Sequence, residues 1–207
     1  MWTASPVTPL TAIDLESANV PLPVSQPRTL AHTRQVSYQG FRRADGLWDI
    51  EGHLCDTKPH AFDIPGERTW APEEPLHDMH IRVTVDDQLV VHALAVAMDG
   101  VPHGECPSAQ APMQRMVGYS MRSGWRRAID EHLGKAKGCT HLRELLFNMA
   151  TAAFQTVSAS FKQTQADVPP AHLGGCLSWG FESPLVERQY PMFFKWQPKK
   201  PPTSTAP

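Results

Sequence analysis

Two cysteines occupy positions where helices are expected to begin. Cys106 follows a turn, and Cys139 comes just before a strongly helical pattern. The N–H groups at a helix N-terminus lack partners and the helix dipole is positive there, so a thiolate is favoured at such a position. The run Leu-His-Asp-Met-His at residues 76–80 opens a predicted strand upstream. Since zinc and iron prefer thiolate and imidazole ligands, these residues predict a small metal site.

The composition is typical of one globular domain. With 207 residues, of which 41% are hydrophobic and 19% charged, the chain can bury one core. The formal net charge is −2 and the cationic residues are spread along the chain, which argues against nucleic acid and anionic membranes as partners. The expected partners are small molecules or proteins, and a small-molecule substrate is favoured.

The start of the chain predicts a cytoplasmic location. The first ten residues contain prolines and lack the basic start and apolar run of a signal peptide. The longest apolar stretch, residues 89–98, is too short to span a bilayer. Because cytoplasmic thiols are reduced, the four widely spaced cysteines favour metal binding or thiol chemistry over disulfides.

Prolines and low hydrophobicity at both ends predict the domain organisation. Residues 1–29 have scattered prolines and no sustained periodicity, and residues 198–207 are rich in proline, lysine and threonine. Such segments do not support a packed core. We therefore expect an irregular N-terminal segment over 1–29, a single α+β domain over 30–197, and a disordered tail over 198–207.

Two pairs of strands are predicted in the first half of the chain. The extended segments 33–41 and 47–57 flank an Asp-Gly step, which is a hairpin signal. Alternation in the second segment places Trp48 on one face and both Glu51 and His53 on the other. Segments 79–85 and 89–98 alternate in the same way and predict a second hairpin.

Helices are predicted in the second half of the chain. Helical patterns cover residues 109–121, despite Pro112, and residues 124–133. The strongest pattern, over 140–161, has an apolar stripe at i, i+3 and i+4 spacing. The stripe consists of Leu142, Leu145, Leu146, Met149, Ala153 and Val157. Strands followed by helices predict an α+β fold in which helices cover one face of an antiparallel sheet.

Four segments make the chain resemble the bacterial family called domain of unknown function 2889. They are RRADGLWDIEGHLCDTK, PLHDMHIRVTVD, MDGVPHGEC and GCTHLRELL. The resemblance extends over most of the chain. The family has no assigned activity, so the resemblance implies an evolutionary relationship but no particular reaction.

A weaker resemblance, over residues 75–154, is to the iron–sulfur scaffold fold of the NifU and SufE-like proteins. In that fold, a loop cysteine and an aspartate precede a strand of the form Met-x-apolar-x-apolar-x-Val. A second cysteine opens a helix, and a third opens a long C-terminal helix as Cys-Ser-x-Leu-x-Glu. Here MHIRVTV matches the strand, Cys106 takes the second cysteine's place, and CTHLRE, which starts at Cys139, matches the last motif. The resemblance implies a NifU/SufE-like core.

The chain departs from the scaffold proteins at three positions. Pro75 stands in place of the loop cysteine, His77 stands in place of the aspartate, and Gly138 stands where some scaffolds carry a histidine. The resemblance therefore implies a mononuclear site held by His77, Cys106 and Cys139 in place of a two-iron cluster. Three protein ligands leave a fourth tetrahedral position for water or substrate, as in catalytic zinc sites.

Two further residues are candidates for the catalytic machinery. His141 lies in the first turn of the long predicted helix, where it could replace His77 as a ligand, support a ligand by hydrogen bonding, or face solvent. Asp99, next to Gly100, could orient a metal-bound water, although an Asp-Gly step more commonly forms a turn. His80, on the predicted strand after His77, is a further candidate ligand.

The leading hypothesis is a metal-dependent hydrolase or lyase with one divalent zinc or iron ion. Its substrate would be a small organic acid or an aromatic compound, as in aromatic-compound catabolism. Trp70, Trp179 and Trp196 lie in loop-rich regions and suggest an aromatic-accepting pocket.

Two other functions remain open. One is an iron–sulfur or zinc carrier without turnover. The other is a metal-free enzyme whose nucleophile is Cys139, activated by the helix N-terminus and by His77 or His141. A closed pocket beside the site would favour an enzyme, and an exposed site with an apolar rim would favour a carrier.

Overall fold

The structure is a computed structural model that describes residues 22–158 and 168–197. Six strands occur in these residues: β1 (Thr33–Arg42), β2 (Trp48–Thr57), β3 (Phe62–Asp63), β4 (Thr69–Trp70), β5 (His77–Val85) and β6 (Val91–Gly100). Four of them form one antiparallel sheet in the order β1-β2-β5-β6, while β3 pairs with β4. Both predicted hairpins are confirmed, and the β2–β5 pairing joins them into one sheet.

Three α-helices occur among the described residues: α1 (Trp125–Leu133), α2 (Thr140–Val157) and α3 (Pro184–Gln189). The predicted helix over 124–133 is confirmed, with Gly124 as its N-cap residue at a φ of 79°. The predicted helix over 140–161 is confirmed through residue 157, and its last three positions lie outside the described residues. The sequence patterns did not predict α3.

The prediction of one helix over residues 109–121 is wrong. Two short 3-10 helices, Cys106–Ala109 and Ala111–Met116, occupy this region, and the backbone is extended at Val117. Each 3-10 helix has a proline in its first turn, where the missing N–H costs no hydrogen bond. Proline also disfavours the α conformation of the residue before it. Prolines at 107 and 112 therefore divide the region into short turns.

Helix α2 covers the buried face of the sheet. Two strand glycines permit this close approach: a Cβ on Gly52 would lie 2.7 Å from Met149 Cε, and one on Gly40 would lie 2.0 Å from Thr156 Oγ1. The core contains apolar residues of β2, β5 and β6, the α2 stripe, and buried residues of the second 3-10 helix and of α1. All six predicted stripe residues are buried.

The opposite face of the sheet is polar. Glu51 and His53 are half-buried there, and His80 and Arg82 are exposed. Trp48, on the other face, is buried. The predicted separation of Trp48 from Glu51 and His53 is therefore confirmed.

Residues 168–197 have a separate group of buried side chains. Leu173, Val186 and Phe193 form it, and it shares no member with the core cluster. The single domain over residues 30–197 stays a prediction, and the predicted terminal segments lie mostly outside the described residues. No helix in the described part of the chain combines the length and the apolar character needed to cross a bilayer.

Candidate metal centre

The sheet register aligns three side chains on its buried face. Arg34 of β1 lies opposite Asp56 of β2, and Asp56 lies opposite His77 of β5. Asp56 is only 1% exposed. The Arg34 guanidinium donates to both carboxylate oxygens, from Nε to Oδ1 over 2.7 Å and from Nη2 to Oδ2 over 2.8 Å. This bidentate pair satisfies a charge that would otherwise be costly to bury.

The ionisation of Asp56 decides the tautomer of His77. Burial raises the pKa of Asp56, but the hydrogen bonds and charge of Arg34 and His77 outweigh burial and hold it at about 2. Asp56 is therefore ionised at neutral pH and can only accept hydrogen bonds. His77 Nδ1 must donate in its 2.9 Å contact with Asp56 Oδ2. In the neutral ring, the lone pair is then on His77 Nε2.

His141, in the first turn of α2, lies against His77 with the ring centroids 3.8 Å apart and the ring planes tilted by 34°. Its Nε2 lies 3.9 Å from Asp56 Oδ2, and its Nδ1 lies 3.8 Å from Cys139 Sγ. Burial lowers the pKa of His77 although Asp56 opposes the change. Burial also lowers the pKa of His141, and the charges of His77 and Arg34 lower it further. Both rings are therefore neutral at neutral pH, which is the form that binds metals.

Cys139 is the N-cap residue of α2, as its predicted position at a helix start requires. Because α2 has 18 residues, its N-terminus has the partial positive charge that favours a thiolate. Cys106 also begins a helix, but only a 3-10 helix of four residues. The helix-dipole argument for a thiolate therefore holds for Cys139 and not for Cys106.

A surface hollow of about 420 Å³ is lined by both cysteines. Cys106 and Cys139 are half-buried free thiols. His103, Glu105 and Lys137 are exposed at the same hollow and make its rim polar. The two thiols therefore face a space that a small polar molecule can enter.

The structure suggests different roles for the carboxylate and the imidazoles. Donor atoms of Asp56, His77 and His141 all lie within 4.8 Å of one another. Asp56, however, already accepts from Arg34 and His77 and has His32 Nε2 at 3.1 Å from Oδ1. The adjacent guanidinium also disfavours a cation on this carboxylate. Asp56 is thus suited to orient His77, as carboxylates do behind metal-bound imidazoles.

Comparison with known families supports the relationship that the sequence motifs suggest. A family model described as "Protein of unknown function (DUF2889)" matches residues 32–155, which is more than half of the chain. The chain belongs to this family. The DUF2889 match includes Asp56, His77, Cys106, Cys139 and His141. No curated protein and no solved structure matches the chain, so the NifU/SufE-like core stays a prediction.

The structure brings only some of the residues predicted for this DUF2889 protein together. The rings of His77 and His141 are in contact, and Cys106 and Cys139 line the same hollow. Within the described residues, the groups of three donor atoms closer than 4.8 Å contain no cysteine, so neither the predicted set of His77, Cys106 and Cys139 nor a set of His77, His141 and Cys139 has that spacing. Asp99 is exposed on the opposite face of the sheet, next to His80 and apart from His77.

Sequence reasoning missed Asp56 and Arg34, which organise this DUF2889 site. A usable signal was present, because Asp56 continues the alternation of Trp48, Ile50 and Leu54 along β2. A carboxylate on the buried face of a strand requires a charged or hydrogen-bonding partner. The identity of that partner depended on the register of β1, which the alternation does not specify.

Proposed function

We propose that this protein is a metal-dependent enzyme with one divalent ion held by His77, His141 and Cys139. The supporting observation is that Asp56 keeps His77 in one tautomer, while the His141 ring lies against that ring and its Nδ1 lies 3.8 Å from Cys139 Sγ. Binding of one ion by all three residues requires the Cys139 thiol to move toward His77. Two neutral imidazoles and a thiolate form a donor set that suits zinc and iron. Three protein ligands leave one coordination position for water or substrate, and Cys106 lines the hollow that leads to it.

The residues around the ion have distinct roles in this proposal. A bound ion would supply Lewis acidity toward a carbonyl or a water molecule. Asp56 holds the proton on His77 Nδ1, and Arg34 keeps Asp56 ionised. Lys137 places a cationic side chain at the hollow, where a substrate carboxylate can bind. The hollow therefore favours a small organic acid as the substrate class.

The three tryptophans give little support to an aromatic substrate at this hollow. Trp70 is buried and stacks on Phe62 with centroids 5.4 Å apart. Trp179 and Trp196 pack against the buried cluster of residues 168–197. Among the described residues that line the hollow, there is no tryptophan, tyrosine or phenylalanine. A small aliphatic acid is thus preferred to an aromatic one.

Elemental analysis of untagged protein, purified under reducing conditions and gel-filtered, tests this proposal. About one tightly bound zinc or iron ion per chain is expected. Cys139→Ser, His77→Ala and His141→Ala should each lower that content, whereas Cys176→Ser, at an exposed position, should not. Full metal content in Cys139→Ser contradicts the proposal.

Cys106→Ser refines the ligand set in the same experiment. If Cys106→Ser retains its metal but has altered activity, the open coordination position faces Cys106. Lost metal supports instead the set of His77, Cys106 and Cys139 that the resemblance to scaffold proteins implies. In both cases a mononuclear thiolate–imidazole site is present.

A second candidate function rests on the same atoms acting as a proton relay. Cys139 Sγ, the His141 ring and the Asp56 carboxylate follow one another at 3.8 and 3.9 Å. This is the order of nucleophile, base and orienting acid in thiol enzymes. In chelator-treated protein, iodoacetamide should then alkylate Cys139 rapidly and His141→Gln should slow the reaction. Equal rates in the two proteins exclude this function.

The third alternative, a carrier without turnover, has less support. A carrier that docks on a partner is expected to have an apolar rim around its site. Here the charged side chains of Glu105 and Lys137 line the hollow, together with the apolar Ala109, Pro112 and Ala136. An iron–sulfur carrier with a NifU/SufE-like core would also contain acid-labile sulfide. Detection of sulfide in the purified protein would favour the carrier over the enzyme.

A further inference from the structure

A second pair of histidines lies on the outer face of the sheet, opposite the face that buries His77. His53 of β2 and His80 of β5 are directly opposed in the strand register. Their imidazole rings stack with centroids 4.1 Å apart and planes inclined by only 2°. The backbone pairing of two central strands therefore holds these rings side by side.

Asp78 completes a three-residue donor group with this pair. It lies two residues before His80, so both side chains project from the same face of β5. His53 Nε2 lies 2.7 Å from Asp78 Oδ1, and His80 Nε2 lies 3.3 Å from the same oxygen. The donor atoms of all three residues lie within 4.8 Å of one another. Two ring nitrogens thus converge on one carboxylate oxygen.

The charges around this group favour a cation. The group borders a groove of about 600 Å³ on the outer face. Asp99, which lines the groove, has its Oδ2 3.9 Å from His80 Nε2. Arg82 is the cationic side chain among the described lining residues, and Glu51 accepts from its Nε over 2.7 Å and lies 2.6 Å from its Nη2. Asp78 and Asp99 therefore leave an excess of negative charge beside the imidazoles.

We propose that His53, His80 and Asp78 bind a divalent transition-metal ion whose remaining coordination positions face the groove. Two imidazoles with one carboxylate suit zinc, copper or nickel, whereas magnesium and calcium prefer oxygen ligands. The side chains are 40%, 46% and 28% exposed respectively, so an ion can enter from solvent without local unfolding. The three proposed ligands include no thiol, although Cys55 lies opposite Asp78 in the β2–β5 register, so Cys55→Ser serves as the background for all cobalt measurements. The site shares no residue with the centre at Cys139.

Cobalt(II) titration of the untagged, metal-free chain under reducing conditions distinguishes the two sites. Total bound cobalt is measured by equilibrium dialysis, and near-ultraviolet absorption detects cobalt–thiolate bonds. A His53→Ala/His80→Ala variant should lose one equivalent of bound cobalt and keep the thiolate absorption. Cys139→Ser should lose the thiolate absorption and keep the equivalent bound at the outer face. If only the outer equivalent is observed, the outer site stands and the proposed function fails.

A matched control and a milder variant make the test specific. His92→Ala removes another exposed strand histidine, which lies 2.9 Å from Asp86 but has no partner imidazole among the described ring contacts. It should leave cobalt binding unchanged. Asp78→Asn keeps the shape of the site and should weaken cobalt binding about tenfold or more. Wild-type cobalt binding by both the double-alanine variant and Asp78→Asn overturns the proposal.

Discussion

Asp56 and His77 face each other across β2 and β5 and share a 2.9 Å hydrogen bond from Nδ1 to Oδ2. Because Asp56 also accepts two hydrogen bonds from Arg34, it is ionised and its orientation is set from two sides. A single buried carboxylate thus couples the pairing of three strands to the tautomer of one histidine. The proposed centre depends on this coupling.

Asp56→Asn should destabilise the fold strongly. The substitution removes the charge of a buried carboxylate and leaves Arg34 paired only with the exposed Glu144. Because Arg34 is itself about one-third exposed, the loss should be about 2 kcal/mol. The Asp45–Arg43 ion pair provides a control, because it has similar chemistry but is exposed. Asp45→Asn should change the free energy of unfolding much less. Urea unfolding of both variants measures the difference, and equal losses would show that burial of Asp56 adds nothing.

Acid should remove the Asp56 contribution in a defined pH range. The pKa of Asp56 is about 2 in the folded protein and 3.8 in the reference state. The contribution is therefore fully present above about pH 4 and is lost as the pH falls toward about 2, with a total near 2 kcal/mol. Urea midpoints measured across this range should fall more steeply for the wild type than for Asp56→Asn. If the urea midpoints of the two proteins fell in parallel with pH, the low pKa of Asp56 would be contradicted.

His77 and His141 predict an earlier loss of stability on acidification. Their pKa values in the folded protein are lower than the ordinary value of 6.5, chiefly because the rings are buried. The unfolded chain therefore takes up protons first, and folding stability falls as the pH drops below about 6.5. In chelator-treated protein, the stability of His141→Gln relative to the wild type should rise between pH 7.5 and 5.5. A constant difference would show that His141 does not titrate as described.

The approach of α2 to β1 predicts a steric effect at Gly40. A Cβ at this position would lie 2.0 Å from Thr156 Oγ1, so Gly40→Ala should cost about 1–3 kcal/mol. Gly104→Ala is the control, because a Cβ there has no atom within 4 Å. Thr156→Ala should recover part of the loss in a double variant. Thermal unfolding measures all three proteins, and an unchanged midpoint for Gly40→Ala would refute the close packing.

Local patterns predicted the elements of this fold better than they predicted its site. The alternation along β2 and the apolar stripe of α2 each identify the buried face of a single element, and the structure confirms both. The row from Arg34 through Asp56 to His77 requires the pairing of three strands, which no single strand encodes. The contact of the His141 ring with His77 further requires the position of α2 over the sheet.

Prolines explain why the region of Cys106 was predicted incorrectly. The apolar spacing over residues 109–121 is compatible with a helix, and Met113 and Met116 are indeed buried. Two 3-10 helices bury the same side chains without the hydrogen bonds that Pro107 and Pro112 cannot donate. Periodicity therefore identified the buried residues but not the conformation.

X-ray absorption at the metal edge, on protein loaded with one equivalent of zinc, tests the proposed centre most directly. We predict one sulfur scatterer at about 2.3 Å and nitrogen scatterers at about 2.0 Å, with the sulfur lost in Cys139→Ser. The same measurement on the His53→Ala/His80→Ala variant excludes zinc at the outer face of the sheet. A spectrum of that variant with nitrogen and oxygen scatterers only, or its failure to retain zinc, would contradict the assignment of Cys139, His77 and His141 as a metal centre.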